Sequence, residues 1–194
     1  MEMTWKPSDV VVSDIEGDNL LYRLKKFHCG VILNPFTLEE SLYGPEESKG
    51  YLLGIDKTPV VVGHNFKGFD LLALRKLFEF KYSGFCFDTL VLSRLLNPER
   101  PQHSLESWGY QLKFHKGDYK VAFKAKMGDK YVEGMEWWEF NQDMLDYCRQ
   151  DVHLNAVLFL WMINRLGWYD WFGVTKGDCE RCMKAIREGD VKRG

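Results

Sequence analysis

The chain has no apolar run of the length that crosses a lipid bilayer, which takes about 20 residues. It also begins without the basic and then apolar stretch that marks a secretory signal. Its five cysteines, at positions 29, 86, 148, 179 and 182, are an odd and scattered set, which argues against a disulfide framework. These absences predict a soluble protein of a reducing compartment, the cytoplasm.

An excess of positive charge is missing as well, since 26 Lys and Arg face 28 Asp and Glu for a formal charge of −2. Proteins that bind nucleic acid avidly are usually basic, because Lys and Arg displace the counterions of the phosphates. Any contact with nucleic acid should therefore be local, through metal ions and a small cationic rim, or be helped by a partner. No phosphate-binding loop of the GxxxxGKS type exists, so nothing supports an ATPase.

What the chain does contain is enough apolar sequence for one domain with a substantial core, at 194 residues and 45% apolar content. Short apolar runs predict strands at 9–14, 27–33 and 59–63. Helical patterns occupy 71–80, 88–96, 104–112 and 141–166, and 34–57 reads as a loop with a marginal strand or short helix. The interpretation is an α/β domain with a mixed sheet and helices packed on it.

Carboxylates mark the end of the first predicted strand and recur later. Asp14 and Glu16 follow three valines, and residues two apart on a strand point to the same side. Such clustered charge at the rim of a core is costly without a counter-ion, and Mg²⁺ prefers carboxylate oxygens. Asp70 opens a predicted helix, and Tyr147 and Asp151 lie one helical turn apart. Taken singly, each has an ordinary alternative: a solvated strand end, a helix cap, or an exposed acid beside a core tyrosine.

The order of these residues resembles that of the DEDD superfamily of 3′-to-5′ exonucleases, in the branch with a tyrosine in its third motif. The three motifs read SDIEGDNLL, HNFKGFD and YCRQD. Further runs look like the proofreading domain of family A DNA polymerases, most closely those of short-tailed phages: DTLVLSRLL, SLESWGY, KGDYK and YVEGMEWWEFN. The resemblance covers about residues 9–160. It implies a ribonuclease-H-like fold, a mixed β-sheet flanked by α-helices, in a single exonuclease domain over 1–194.

By this resemblance, two divalent metal ions, Mg²⁺ or Mn²⁺, would be held by four carboxylates: Asp14, Glu16, Asp70 and Asp151. Tyr147 would orient the attacking water. Leu20 would wedge against the terminal base, and Asn65 and Phe69 would lie on the substrate-binding side. The implied reaction is hydrolysis of a single-stranded or frayed 3′ end of DNA to nucleoside 5′-monophosphates.

Two other functions stay open at this point. An exoribonuclease would trim RNA 3′ ends with the same chemistry, because the sequence does not show how the 2′-hydroxyl is read. An inactive binding or scaffold module would keep the fold but is disfavoured, because all four carboxylates and the tyrosine are present. The family's domain is normally followed by a polymerase, whereas this chain stops at Gly194. We therefore expect a free-standing nuclease that is located in the host cytoplasm if the source is viral. Its expected partner is a separate polymerase or another replication protein, and no membrane is expected to be involved.

Three smaller features have a favoured and a less favoured interpretation. Cys179 and Cys182 form one CxxC, and without a second pair they favour free thiols over a zinc site. The lysine-rich segment 113–130 is either a solvated loop or short helical excursion, or a cationic rim that contacts phosphates. Asp88 is expected to cap the helix that begins at Thr89, and Trp137 and Trp138 to pack rather than to stack on a base.

Overall fold

The computed structural model describes residues 4–114 and 117–193. Its centre is a six-stranded mixed sheet in the order β5-β4-β1-β2-β3-β6. The strands are β1 (Val10–Gly17), β2 (Phe27–Leu33), β3 (Glu39–Tyr43), β4 (Val60–Gly63), β5 (Phe85–Asp88) and β6 (Lys192–Arg193). The central strand β1 is antiparallel to β2 and parallel to β4. Strand β3 is antiparallel to β2, and the outer pairs β4–β5 and β3–β6 are parallel.

Seven α-helices surround the sheet in the described part of the chain. They are α1 (Ser48–Asp56), α2 (Asp70–Phe78), α3 (Thr89–Leu96), α4 (Leu105–Leu112), α5 (Tyr119–Met127), α6 (Gln142–Leu166) and α7 (Lys176–Glu188). Among the residues described, none of these helices has the length and apolarity needed to span a membrane.

Alternation along the buried strands divides the core into two clusters, one on each face of the sheet. Val10 and Val12 pack in the cluster that contains the buried side chains of α6 and α7. Val11 and Ile15 pack in the cluster that contains those of α1 and α2. Because successive strand residues point to opposite faces, Asp14 and Glu16 continue the face that Val10 and Val12 present to α6.

Helix α6 is the longest element and lies across β1 and β2. It begins where the Asn141 side chain accepts a hydrogen bond from the Met144 N–H at 3.0 Å. It ends at Gly167, whose φ of 71° is the left-handed conformation that glycine tolerates best. Helix α7 packs against α6, and β6 pairs with β3, so the segment after Trp171 joins both the helical layer and the sheet.

The strands predicted at 9–14, 27–33 and 59–63 are confirmed as β1, β2 and β4, and 34–57 contains both β3 and α1. The pattern over 88–96 forms α3, with Asp88 as the expected cap before Thr89, and Asp88 is also the last residue of β5. One predicted helix end was wrong. The helix predicted to reach Phe80 ends at Phe78, where Glu79 turns left-handed with a φ of 55°. Helix α7 and strands β5 and β6 were not predicted.

Candidate functional site

Strand β1 places two half-buried carboxylates beside α6. Asp14 is paired in register with Val31 and Glu16 with Cys29, both on β2. The register shifts between Glu16 and Gly17, so the ladder is irregular directly after the second acid. The Cys148 thiol of α6 donates a hydrogen bond to the Asp14 carbonyl oxygen at 3.5 Å, which joins the strand to the helix at this point.

Asp70 approaches β1 from the other layer. It is the first residue of α2, is only 2% exposed, and its Oδ1 accepts a hydrogen bond from the Ile15 N–H at 3.3 Å. Its carboxyl group also hydrogen-bonds that of Asp14. Asp70 therefore lies next to the acids of β1. Its place at the N-terminus of α2 also favours a negative charge, because the helix dipole is positive at that end.

Helix α6 contributes Tyr147 and Asp151, one turn apart. Asp151 is buried, and its charge acts on Glu16 across the interface between helix and strand. Tyr147 is half-buried and packs beside two aromatic rings, those of Tyr119 and Trp137. The structure thus brings together the four carboxylates that the sequence selected and sets the tyrosine on the same helix.

The electrostatics of this cluster are those of negative charges held close together. Burial is the main cause that raises the pKa of Glu16 well above its usual value, and the charges of Asp14 and Asp151 raise it further. Burial likewise raises the pKa of Asp70, and Asp14 adds to the effect. Burial and like charges therefore both disfavour ionisation of these two carboxyls, and a bound dication would favour it.

The donor atoms fit a divalent metal. Within the described residues, one group of side chains has its possible ligand atoms close enough together to bind one ion. These are the ligand atoms of Asp14, Glu16 and Cys148, which all lie within 4.8 Å of one another. Burial and a hydrogen bond with Cys29 raise the pKa of the Cys148 thiol well above its usual value, so this sulfur stays protonated. The carboxylate oxygens are then the available ligands, which suits a hard cation such as Mg²⁺ or Mn²⁺.

The three residues predicted to lie on the substrate side differ in environment. Leu20 is 69% exposed on the turn between β1 and β2. Asp18 holds the base of this turn by accepting hydrogen bonds from the N–H groups of Lys25 and Lys26 at 2.8 and 3.0 Å. Asn65 is exposed after β4, whereas Phe69 is half-buried against the cluster of α1 and α2.

Asp88 does more than the predicted capping. Its Oδ1 accepts hydrogen bonds from Leu90 N–H at 3.0 Å and Val91 N–H at 3.3 Å, which confirms the cap of α3. The same carboxylate accepts from Asn65 N–H at 3.0 Å and Lys67 N–H at 3.2 Å. Asp88 therefore fixes the loop between β4 and α2, in which Asn65 adopts a left-handed φ of 65°.

A buried ion-pair cluster beside the site was missed from the sequence. Glu40 of β3 is 1% exposed and accepts hydrogen bonds from Arg149 Nε at 2.9 and 2.8 Å, and it also bonds His153. Burial alone would raise the pKa of Glu40, but His153 and Arg149 outweigh it and lower that pKa. Because Arg149 and His153 flank Asp151 on α6, this cluster ties the part of the helix around Asp151 to the sheet. The spacing of Arg149 and His153, four residues apart, was the only available signal.

The zinc interpretation of Cys179 and Cys182 finds no support, because in the described chain both thiols are buried among core residues on α7 and form no metal-ligand group. In the lysine-rich segment, α5 bears out the short helical excursion. Lys120 pairs with Glu133, and Lys126 pairs with Asp143 at 3.4 Å, so two cations of the proposed rim are already neutralised. Lys116 and His115 lie outside the described residues.

Comparisons with known proteins agree with the predicted resemblance. The chain is 37% identical over 181 aligned residues to the DNA-directed DNA polymerase of Escherichia phage T7 and, to the same extent, to that of Enterobacteria phage T3. Each alignment covers 77% of this chain but only 26% of the polymerase, so the chain spans about a quarter of these relatives. The similarity to phage DNA polymerases is thereby confirmed. No protein-family model matches the chain.

Solved structures show the fold. NrnC of Brucella melitensis, bound to pGG, superposes with a TM-score of 0.56 over 93% of this chain and 82% of its own. A structure of the same protein with bound Mg²⁺ superposes with a TM-score of 0.52. The identity in both is 19%, so the likeness is one of architecture. It confirms the ribonuclease-H-like α/β fold.

Proposed function

We propose that this chain is a metal-dependent 3′-to-5′ exonuclease that removes nucleotides from single-stranded or frayed 3′ ends of DNA. The observation that carries the proposal is the cluster of four carboxylates from β1, α2 and α6, in which burial and the neighbouring carboxylates raise the pKa values of Glu16 and Asp70. The identity shared with two DNA-directed DNA polymerases supports DNA rather than RNA as the substrate.

In this proposal Asp14, Glu16 and Asp151 bind one metal ion, and Asp14 and Asp70 bind a second. Two bound dications activate the attacking water and stabilise the departing 3′ oxygen when they are present. The protein contributes rigid placement: Asp14 is fixed by the β1 ladder, and Asp70 is held by the Ile15 N–H. Tyr147 orients the attacking water through its phenol group, and the product is a nucleoside 5′-monophosphate.

The substrate strand is proposed to enter past the turn that carries Leu20. This exposed side chain lies four residues beyond Glu16 and is suited to pack against the terminal base. The turn has a firm base, because Lys76 Nζ donates hydrogen bonds to the carbonyl oxygens of Leu21 and Tyr22 at 2.7 and 3.1 Å. Asn65 and Phe69 lie in the loop directly before Asp70 and complete the proposed substrate side.

The biological setting is proposed from charge and from the relatives. With a formal charge of −2 and lysines already paired to acids, the chain has little sequence-independent attraction for phosphates. We propose a single exonuclease domain that is brought to 3′ ends by a DNA polymerase or another replication protein, with a proofreading role.

The deciding experiment uses 5′-labelled single-stranded DNA and RNA of equal sequence, with Mg²⁺, Mn²⁺ or chelator. We expect a 3′-to-5′ ladder on DNA that disappears with chelator and in Asp14→Ala. Glu46→Ala, which removes an exposed acid from the turn before α1, is the matched control and should cleave like the unaltered protein. Absence of a ladder on both substrates, with folded protein and metal present, would refute the proposal, and a ladder on RNA alone would make the chain an exoribonuclease.

A further inference from the structure

We propose that Tyr119 and Trp137 are positioning residues that hold the Tyr147 side chain in its working orientation. The inference rests on the proposed function, since it concerns how the tyrosine of that site is kept in place. Tyr119 opens α5, and Trp137 ends the short 3₁₀ turn Met135–Trp137. Neither residue is among those that the sequence motifs assign to the site.

The three rings form one aromatic cluster. The Tyr119 and Tyr147 ring centroids are 5.7 Å apart, and those of Trp137 and Tyr147 are 6.3 Å apart. Tyr119 and Trp137 also contact each other, at 5.3 Å. These separations fall in the range of favourable aromatic pairs, about 4.5–7 Å. Tyr147 is therefore held by two rings that come from outside α6.

Tyr119 is itself fixed relative to the first turn of α6. Its hydroxyl donates a hydrogen bond to the Glu136 carbonyl oxygen at 2.8 Å and accepts one from Asn141 Nδ2 at 2.7 Å. Asn141 is the residue whose side-chain oxygen caps α6. The ring of Tyr119 and the start of the helix that carries Tyr147 are thus joined through one side chain.

Trp137 is fixed to the sheet that carries the metal-binding acids. Its carbonyl oxygen lies 2.9 Å from Nε2 of His28, a buried residue of β2. The neighbouring Glu136 is 1% exposed and accepts a hydrogen bond from the Tyr131 hydroxyl at 2.9 Å. Because β2 is the antiparallel partner of β1, Trp137 keeps a constant relation to Asp14 and Glu16.

Open space lies beside the aromatic cluster. A cavity of about 360 Å³ is lined by Ser104, Tyr110, Lys120 and the three rings of the cluster. Removal of the Tyr119 or Trp137 ring would enlarge this space next to the Tyr147 phenol. Since a misplacement of about 1 Å at a reacting group costs roughly 100-fold in rate, even a partial loss of orientation should be measurable.

The test is a double-mutant cycle on exonuclease activity. Tyr119→Leu and Tyr147→Phe should each lower kcat about 10- to 100-fold with KM unchanged, because both remove the oriented phenol. The combined variant should be no slower than Tyr147→Phe alone. Tyr119→Phe, which keeps the ring, should restore kcat to within about threefold. Phe123→Leu is the matched control, because Phe123 packs on Tyr119 at 5.9 Å without being part of the Tyr147 cluster.

A second measurement does not depend on hydrolysis. In metal-free protein labelled at the tyrosine ζ carbon, the NMR signal of Tyr147, identified by its loss in Tyr147→Phe, should move in Tyr119→Leu and stay in Phe123→Leu. Losses that multiply in the double variant, an equal loss in Phe123→Leu, or an unmoved Tyr147 signal would overturn the positioning role while leaving the exonuclease intact. An unaltered protein without activity would instead overturn the proposed function.

Discussion

Replacing Asp70 by asparagine should make the metal-free protein more stable while it abolishes the stabilisation that metal gives. Asp70 is 2% exposed, shares a hydrogen bond with Asp14, and has one N–H donor from β1, that of Ile15 at 3.3 Å. An asparagine of the same size keeps an oxygen for that donor but brings no charge. The substitution therefore removes the repulsion with Asp14 and leaves the packing in place.

The size of the effect follows from the cost of a buried polar group that lacks adequate partners, about 1–3 kcal/mol and more for a charged one. In a domain of roughly 150–250 residues, 1 kcal/mol moves the melting temperature by about 2–4 °C. Without metal, Asp70→Asn should therefore melt about 3 to 10 °C higher. With metal at 100 times its Kd, the free energy of unfolding of the unaltered protein rises by about 2.7 kcal/mol, and this gain offsets the advantage of the variant, which should not bind the metal.

The difference should depend on pH in one direction. The pKa of Asp70 is raised above its usual 3.8, first by burial and then by Asp14, so the folded state holds this proton more tightly than the unfolded chain does. The stability that comes from this tighter proton binding is fully present below about pH 3.8, and it is lost as pH rises through the pKa of Asp70 in the folded protein. The advantage of asparagine should thus grow as pH rises through the folded pKa of Asp70.

The assay is thermal unfolding followed by circular dichroism at pH 5 and pH 8, with chelator and then with Mn²⁺. Asp129→Asn, which removes the same charge from an exposed position, is the control and should leave the melting temperature unchanged. If Asp70→Asn melted below the unaltered protein in chelator at pH 8, or if the gap were larger at pH 5 than at pH 8, the charge-repulsion account of this site would be wrong.

Two further predictions concern residues outside the metal cluster. Glu40→Gln should lower the free energy of unfolding, measured with urea at pH 7, by about 3 kcal/mol, because the neutral amide cannot form the ion pairs with Arg149 and His153. The pKa of Glu40 is lowered, so this loss of stability should shrink as pH falls below the usual value of 4.5. An undiminished loss at low pH would count against the ion pairs. Leu20→Ala should leave the melting temperature unchanged, because the side chain is exposed. It should raise KM for single-stranded DNA about fivefold, which corresponds to about 1 kcal/mol of lost contact with the terminal base. An unchanged KM would show that Leu20 does not contact the substrate.

The central strands and α6 were predictable because their patterns are strong. Valine runs give β1 and β4 a buried character, and 15 of the 25 residues of α6 are buried. Strand β5 was missed because its four residues run directly into α3, so one apolar pattern covered both elements. Helix α7 was missed because two of its three buried positions are Cys179 and Cys182, which pack as small apolar groups but were read as thiols.

The grouping of the four carboxylates came from motif order, which the family resemblance supplied, and not from periodicity. The surroundings of the site had no such guide. Glu40 and its partners are more than 100 residues apart in the chain, and an acid on a short strand gives no sign that it is buried. The ring contacts of Tyr119 and Trp137 with Tyr147 likewise depend on how α5 and the Met135–Trp137 turn fold back onto α6.

Helix α6 carries Tyr147 and Asp151 on the same 25 residues that fill the core between the sheet and α7. Its amides near Asp151 should therefore exchange with solvent only through global unfolding, because no smaller opening frees this stretch. The part of the proposed metal site that lies on α6 should therefore persist as long as the fold does. The exposed turn at Leu20 is by contrast a place where a side chain can be altered without disturbing the core.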